Sequence, residues 1–416
     1  MGNTIGGGIV STPGTIAERL PNGWLFMSIW LAGGLYSLLG AVSVAELGTM
    51  IPKSGGQYVF ARHALGDYAG FVVGWSDWIS TCASSSFISL VIAQYAGVLF
   101  PSLAGNKTLV ALTVVVFFGA LQWRGVRWGS AAQNITSLIK ALAFVFLVAA
   151  CFLLDGRGAS PSAVSAPVPA GLGLFVAVIL AVQAVLYTYD GWTGAIYFSE
   201  EIQNPGRDIP RSIFGGVFAV IAIYLLVNCA TLYVLPISEV AGSDLALGKA
   251  AAVIFGSHGD RVFRALMVAS LLSAVNACQL MATRVLFAMS RDGLFWRRAA
   301  EANAGGTPTI GLLLSTLVAA FFVATGTADQ VLAVAAFFFV VNYTISFSVV
   351  FLLRKREPER PRPYRAWGYP WTTGFSLIGS IAFLGGAVAA DLRNSVYALL
   401  ILAASYPTFR FLKRAS

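Results

Sequence analysis

The stretch Thr188-Tyr189-Asp190-Gly191-Trp192 interrupts an otherwise apolar segment, with Leu174 to Leu186 before it and Ala195 to Phe198 after it. An acid beside a glycine fits poorly in hydrocarbon. Unwound backbone at membrane depth persists only where it is buried in protein or lines a cavity. A second interruption, Thr4-Ile5-Gly6-Gly7-Gly8, stands at the start of the chain. Paired breaks at corresponding positions of two halves mark the binding site of a secondary transporter.

Composition places the rest of the chain around these breaks. Of 416 residues, 57% are hydrophobic and 11% charged, against roughly a quarter charged in soluble domains. Mean hydropathy is +0.76, and apolar runs near membrane-spanning length recur from end to end. No stretch is polar and long enough to form a separate soluble domain. Cys82, Cys151, Cys229 and Cys278 all fall in apolar runs, which predicts packed thiols and no disulfide framework. The sequence holds no nucleotide-binding loop and no metal-spaced His/Cys set. His63 and His258 are both expected in loops. No cofactor, metal or nucleic-acid partner is expected, and no catalytic residue set presents itself.

The apolar pattern predicts spans at Thr4–Ala17, Trp24–Gly48, Tyr68–Leu99, Leu109–Trp123, Ser130–Leu154, Leu172–Phe198, Ile213–Leu235, Val262–Ser290, Ile310–Thr325, Val331–Leu353, Phe375–Ala390 and Val396–Phe411. This is an all-α integral membrane chain of twelve helices, the first incomplete. Most of the 27 Lys and Arg fall in alternate loops, including Arg354 to Arg365. That face is expected to be cytoplasmic and to hold both termini. The same cluster could bind anionic lipid, although setting the topology is the favoured explanation. Breaks in helices 1 and 6 suggest two five-helix repeats, about 1–155 and 170–353, within one transmembrane domain. An odd number of spans inverts the second repeat relative to the first. Helices 11 and 12, about 375–411, fall outside it.

At the breaks, Gly6, Gly7 and Gly8 free the backbone to meet a ligand. The half-helix that follows points its N-terminus at the break and favours an anion such as a carboxylate. A small-residue packing surface is the competing reading. Asp190 has three readings: binding a substrate ammonium, relaying a proton, or capping the second half-helix. Tyr187 and Trp192 read as packing, gating or ligand residues. Lys140, inside helix 5, is costly there unless it faces a cavity or partner, or snorkels to the interface. Desolvation would make it a plausible proton carrier. In helix 8, Ser270, Ser273 and Ala277 share a face that could meet Lys140 or helix 1. Asn276 and Arg284 lie on the same helix. Glu200 and Glu201 end helix 6 close to Arg207 and Arg211 and read as a gate or loop lock. Ser84, Ser85, Asn276 and Asn342 are candidates for setting substrate size. Asn106-Lys107-Thr108 is a glycosylation sequon with meaning only in a eukaryotic secretory context.

Taken in order, these motifs resemble the amino acid–polyamine–organocation (APC) permeases of bacterial type. The resemblance rests on Ile5-Gly6-Gly7-Gly8-Ile9-Val10 with Pro13-Gly14, and on Glu46-Leu47 with Pro52-Lys53-Ser54-Gly55-Gly56-Gln57-Tyr58. It rests also on Tyr189-Asp190-Gly191-Trp192, Glu200-Glu201-Ile202-Gln203-Asn204-Pro205, Ile209-Pro210-Arg211, Arg284 and Ala288-Met289-Ser290-Arg291-Asp292-Gly293. It implies a LeuT-type five-plus-five inverted repeat with two further helices. It implies a substrate carboxylate on the backbone N–H groups of Gly7 and Gly8, and an ammonium on carbonyls near Thr4 and of Tyr187, Thr188 and Asp190. Lys140 matches a helix 5 lysine that, in several members, stands where sodium-coupled relatives hold a cation. Proton coupling or sodium-independent exchange follows. Phe100 to Thr108 lacks the cysteine of heavy-chain-linked exchangers, so no disulfide-tethered partner is expected. Members usually carry half a helix before the glycine break, whereas Met1 stands almost at it; a misassigned start or a truncation is expected.

The function expected is secondary transport of a small neutral amino acid across a bacterial cytoplasmic membrane. A polyamine or cationic amino acid permease, using Asp190 as counter-charge, is the alternative within transport. A membrane receptor that binds without cycling is the alternative outside it.

Overall fold

The computed structural model describes residues 7–125, 142–154, 167–256 and 258–415. Among these the chain is helical throughout, as hydrocarbon demands, because a helix satisfies its own backbone groups. Nine helices are long and apolar enough to cross a membrane, with three shorter apolar ones beside them. In chain order they are α1 (Gly7–Arg19), α2 (Gly23–Met50), α3 (Tyr58–Leu65), α4 (Asp67–Leu99), α5 (Lys107–Trp123) and α6 (Leu142–Leu153). Next come α7 (Leu172–Tyr189), a 3-10 segment (Trp192–Glu201), α8 (Pro205–Val234), α9 (Ile237–Val240), α10 (Ala246–Phe255) and α11 (Gly259–Arg291). The last are α12 (Thr309–Thr325), α13 (Ala328–Arg356), α14 (Trp371–Ala390), α15 (Leu392–Ala403) and α16 (Ser405–Ala415).

Three long helices form the middle. α4 packs along α11 and α13, while α5, α12, α14 and α15 lie outside them. The division follows composition. Phe117, Phe321, Phe375, Ile378 and Leu400 on the outer helices are exposed, as lipid-facing residues are. The central helix α4 instead buries a ladder of Ser76, Ser80, Thr81, Ser84, Ser85, Ser86 and Ser89. Most of these hydroxyls donate to carbonyls three or four residues back, such as Ser84 to Ser80 at 3.0 Å and Ser89 to Ser85 at 2.8 Å. Small, internally satisfied residues let neighbouring helices approach closely at little polar cost.

The ends are fixed by side chains. Asn22 caps α2 by accepting from the N–H groups of Trp24 and Leu25 at 3.0 and 3.1 Å. Thr327 and Gln330 close a reciprocal capping box on α13. On the arginine-rich face, Glu46 at the end of α2 is buried and receives Arg354 through two bonds of 2.8 and 2.6 Å. Arg362 lies 3.2 Å away and the Ala366 N–H donates at 2.7 Å. One carboxylate thereby holds α2, α13 and the segment after α13 together.

Some expectations hold and others need correction. The broken span expected at Leu172–Phe198 holds, within Leu172–Glu201. His63 lies inside α3, a helix the apolar pattern did not predict, whereas His258 stands outside the helices, directly before α11, as expected. The connection after α8 carries the unpredicted helices α9 and α10. The span expected at Val396–Phe411 holds within the apolar stretch Leu392–Arg414, which is built of α15 and α16. Three cysteines are buried, but Cys229 is exposed. Of Ser130–Leu154, only the part from residue 142 onward belongs to the described residues.

Candidate functional site

The start of α1 meets the break that ends α7. α7 stops at Tyr189 because Asp190 is extended and Gly191 takes φ +99°, a left-handed conformation open to glycine. Beyond it the chain rewinds as a 3-10 helix rather than an α-helix. α1 begins at Gly7 and lays Gly8 against Thr188 so closely that a Cβ there would stand 2.8 Å from the Thr188 Cα. Thr12, one turn further along α1, meets the Thr188 hydroxyl at 3.0 Å. From outside the pair, Tyr224 of α8 donates to the Thr188 carbonyl at 3.0 Å. That carbonyl has lost its helical partner to the break, and Tyr224 supplies one.

A cavity of about 550 Å³ reaches this junction from the face opposite the arginine-rich one. Thr12, Gln183 and Ala184 line it near the breaks. Glu18, Asp244, Asp329 and Asp391, with Arg19 as counter-charge, also line it. Its wall includes the connection carrying α9, tied to α1 by Gly242 N–H donating to the Gly14 carbonyl at 3.0 Å.

On the other side of the junction the aromatic residues interlock. Tyr187 is buried against Phe87 of α4, ring centroids 5.0 Å apart, and Phe339 of α13. Trp192 stacks on Tyr343 of α13 at 5.1 Å. Tyr343 donates to the Asp190 carboxylate. Asp190 therefore tethers the break to α13, and no side chain caps the 3-10 segment.

Glu200 and Glu201 do not pair with Arg207 or Arg211, as the sequence suggested. Arg291 of α11 binds Glu200 through bonds of 2.9 and 2.7 Å, and Arg284 pairs with Glu201 while covering the Phe198 ring at 4.5 Å. The nearer arginines lose because α8 carries them away along its own axis, while α11 ends beside the 3-10 segment. Arg62 joins the closure through Asp67 at 3.1 Å and Asp292 at 2.8 Å. Burial lowers the Arg62 guanidinium, but the hydrogen bond it donates to Asp67 and the charge of Asp292 outweigh this and raise it above its ordinary value.

The remaining candidates have other surroundings. Ser273 donates to the Ser270 carbonyl within α11 at 2.7 Å. Asn276 accepts from Gln122 of α5 at 2.9 Å, and Asn342 accepts from Ser76 at 2.6 Å. Ser84 is within hydrogen-bonding reach of Tyr187, and Ser85 is buried with no partner for its hydroxyl. Thr4, Gly6 and Lys140 lie outside the described residues. Sequence reasoning passed over Asp77, a carboxylate 1% exposed in the middle of α4. Its signal was the one that singled out Lys140, a charge within an apolar span. It passed over the tyrosines that hold the breaks, which carry no such signal.

Residues 1–406 match the family model described as "Amino acid permease". The serine/threonine exchanger SteT of Bacillus subtilis (strain 168) is 27% identical over 424 residues, covering 100% of this chain and 94% of that protein. The human b(0,+)-type amino acid transporter 1 is 28% identical over 379 residues, covering 87% of this chain and 75% of its own length. The large neutral amino acids transporter small subunit 2 of Mus musculus is 27% identical over 388 residues, with 88% and 70% covered. With α1 packed against the broken end of α7 beside a cavity, and a family match across nearly its whole length, the chain belongs to the amino acid permeases of the APC superfamily: it is an integral membrane secondary transporter of amino acids, not an enzyme.

Proposed function

We propose that the protein moves a small neutral amino acid by alternating access, without sodium, either by exchange or with a proton. The contact of Gly8 with Thr188 carries this reading. It sets the first turn of α1 against the last turn of α7, and Thr12, bonded to the same Thr188, lines the cavity. Such ends suit a zwitterion: the N–H groups from Gly6 to Gly8 take the carboxylate, and carbonyls near Thr4 and of Tyr187, Thr188 and Asp190 take the ammonium. Trp192 closes the site from below. Helices 1–5 and 6–10 form inverted repeats, Lys140 links helix 5 to helices 1 and 8, and Ser270 and Ser273 line that link. The ion pairs of Glu200 and Glu201 close the path toward the arginine-rich, cytoplasmic face, which carries both termini in a bacterial cytoplasmic membrane. No disulfide-linked heavy chain takes part.

Purified protein in vesicles, offered radiolabelled L-serine, L-alanine, L-leucine, L-arginine and putrescine with and without sodium, tests this. Uptake of a neutral amino acid that sodium leaves unchanged is expected. Strict sodium dependence, or no uptake of any of the five, overturns it. The acid-lined cavity favours a second reading, a cationic substrate, which L-arginine or putrescine outcompeting L-serine would establish.

A further inference from the structure

We propose that Asp77 binds a proton during the transport cycle, and that Tyr197 of the 3-10 segment couples that proton to the movement of the broken helix. The inference rests on the transport reading above and deepens it.

The argument starts from an imbalance. Asp77 is 1% exposed, and its Oδ1 accepts from the Tyr197 hydroxyl at 2.7 Å. Its Oδ2 has no hydrogen-bond partner. An ionised carboxylate offers about four acceptor sites, and burying one with a single neutral donor is costly. The neighbouring polar groups are otherwise engaged. Ser76 turns to Asn342, while Ser80 and Thr81 donate to the backbone carbonyl of Asp77, at 2.9 and 2.7 Å. Oδ2 faces the backbone of Gly56, where a Cβ would meet it at 3.0 Å.

The charged and titratable groups on the packed elements supply no counter-ion. On α3, Tyr58 and Arg62 turn to Asp292, and His63 turns to Glu357. On α11, Arg284 and Arg291 are held by Glu201 and Glu200, and Cys278, a thiol, can supply no positive charge. On α13, Tyr343 turns to Asp190, and Arg354 to Glu46. Asp190 is within electrostatic reach, but it carries the same sign. Among the described residues no cation pairs with Asp77. Two carboxylates of like sign, each met by one tyrosine hydroxyl, are balanced most simply by a proton. A sodium ion would need several converging oxygens, and Oδ2 faces a bare glycine instead.

Motion enters through Tyr197. It belongs to the segment whose far end is clamped to α11. Opening toward the arginine-rich face withdraws Tyr197 from Asp77 and lets water in. The acid then gives its proton to that water, and the site takes up a proton before it closes dry again.

The test is uptake and counterflow in vesicles, using the panel amino acid with the highest uptake, over about pH 5–8. Wild-type flux is expected to change by about tenfold for each pH unit at the steep part of its profile. Asp77→Asn is expected to flatten this to less than about twofold, and Asp77→Glu to restore it. Tyr197→Phe is expected to move the midpoint while keeping the slope. A folded Asp77→Asn protein with the wild-type profile overturns the proposal, and so does a wild-type flux independent of pH. If Asp77→Asn does not fold, Tyr197→Phe decides: a moved midpoint supports the proposal and an unmoved one overturns it. A wild type that takes up none of the panel overturns the transport reading itself, a result distinct from all of these.

Discussion

Replacing Gly8 with alanine adds one methyl group where α1 touches the broken end of α7. The new Cβ would stand 2.4 Å from Thr188 Oγ1 and 2.8 Å from both Cα and Cβ of Thr188. Carbon atoms rest comfortably about 3.5–4.0 Å apart, so the helices must part by about 1 Å. Thr188 has little room to yield. Its hydroxyl is bonded to Ala184 at 2.7 Å and meets Thr12 at 3.0 Å, and its carbonyl is held by Tyr224 at 3.0 Å. Overpacking of this kind costs about 1–3 kcal/mol, equivalent to about 5–150-fold in an equilibrium. Because the strain falls between the two breaks, substrate affinity should weaken by that factor in ligand-dependent thermal shift or calorimetry. Thr188→Ala removes the 2.4 Å contact but leaves Cα and Cβ, so the double variant should recover only part of the loss. Binding by Gly8→Ala within about twofold of wild type would refute the reasoning, since even 1 kcal/mol of strain exceeds that.

Four further outcomes follow from other contacts. Glu46→Gln strands Arg354 and Arg362 beside a group that has lost its charge. Breaking a buried pair costs about 3–5 kcal/mol, so thermal unfolding in detergent should begin at a clearly lower temperature. Tyr224→Phe removes the donor to the Thr188 carbonyl; a stability loss of about 0.5–1.5 kcal/mol, with a larger proportional loss of substrate affinity, is expected from denaturation and binding assays. Glu200 and Arg291 are 37% and 44% exposed, so Arg291→Ala should cost at most about 1 kcal/mol of stability. Its transport rate should nonetheless change, and the charge swap Glu200→Arg with Arg291→Glu should return it toward wild type. Arg360 and His63 lower the Glu357 carboxyl from its ordinary value. Its pairing therefore stabilises the fold above the ordinary glutamate range and is lost as pH falls through the lowered value. Hydrogen exchange across 357–366 should rise below about pH 4, and Glu357→Gln should abolish that rise.

The membrane helices were legible because hydrocarbon imposes one rule on every span. α2, α4, α11 and α13 fall where apolar runs predict them, extended by a few residues at their ends. The break at Asp190-Gly191 was legible because a charge and a left-handed glycine cannot hide in a greasy helix. What sequence cannot give is pairing across space. Glu200 and Glu201 sit near Arg207 and Arg211 in the chain, yet the direction of α8 hands them to Arg284 and Arg291 instead. Tyr224, Tyr197 and Tyr343 look like ordinary membrane aromatics until three different helices bring their hydroxyls to the breaks and to Asp77. α9 and α10 escaped notice because a short helix in a connection carries no spanning signal.

The winding of Trp192–Glu201 has a consequence of its own. A 3-10 helix rises about 2.0 Å per residue and an α-helix about 1.5 Å. The stretch from Trp192 to Tyr197, before the chain leaves helical geometry at Phe198, therefore reaches about 12 Å, where α-winding would reach about 9 Å. The difference is about half an α-helical turn. Trp192 is fixed on Tyr343 at one end, and Glu200 and Glu201 are fixed on α11 at the other. The segment thus resembles a stretched strut hinged at Phe198: rewinding on release of either anchor would shorten it by about half a turn.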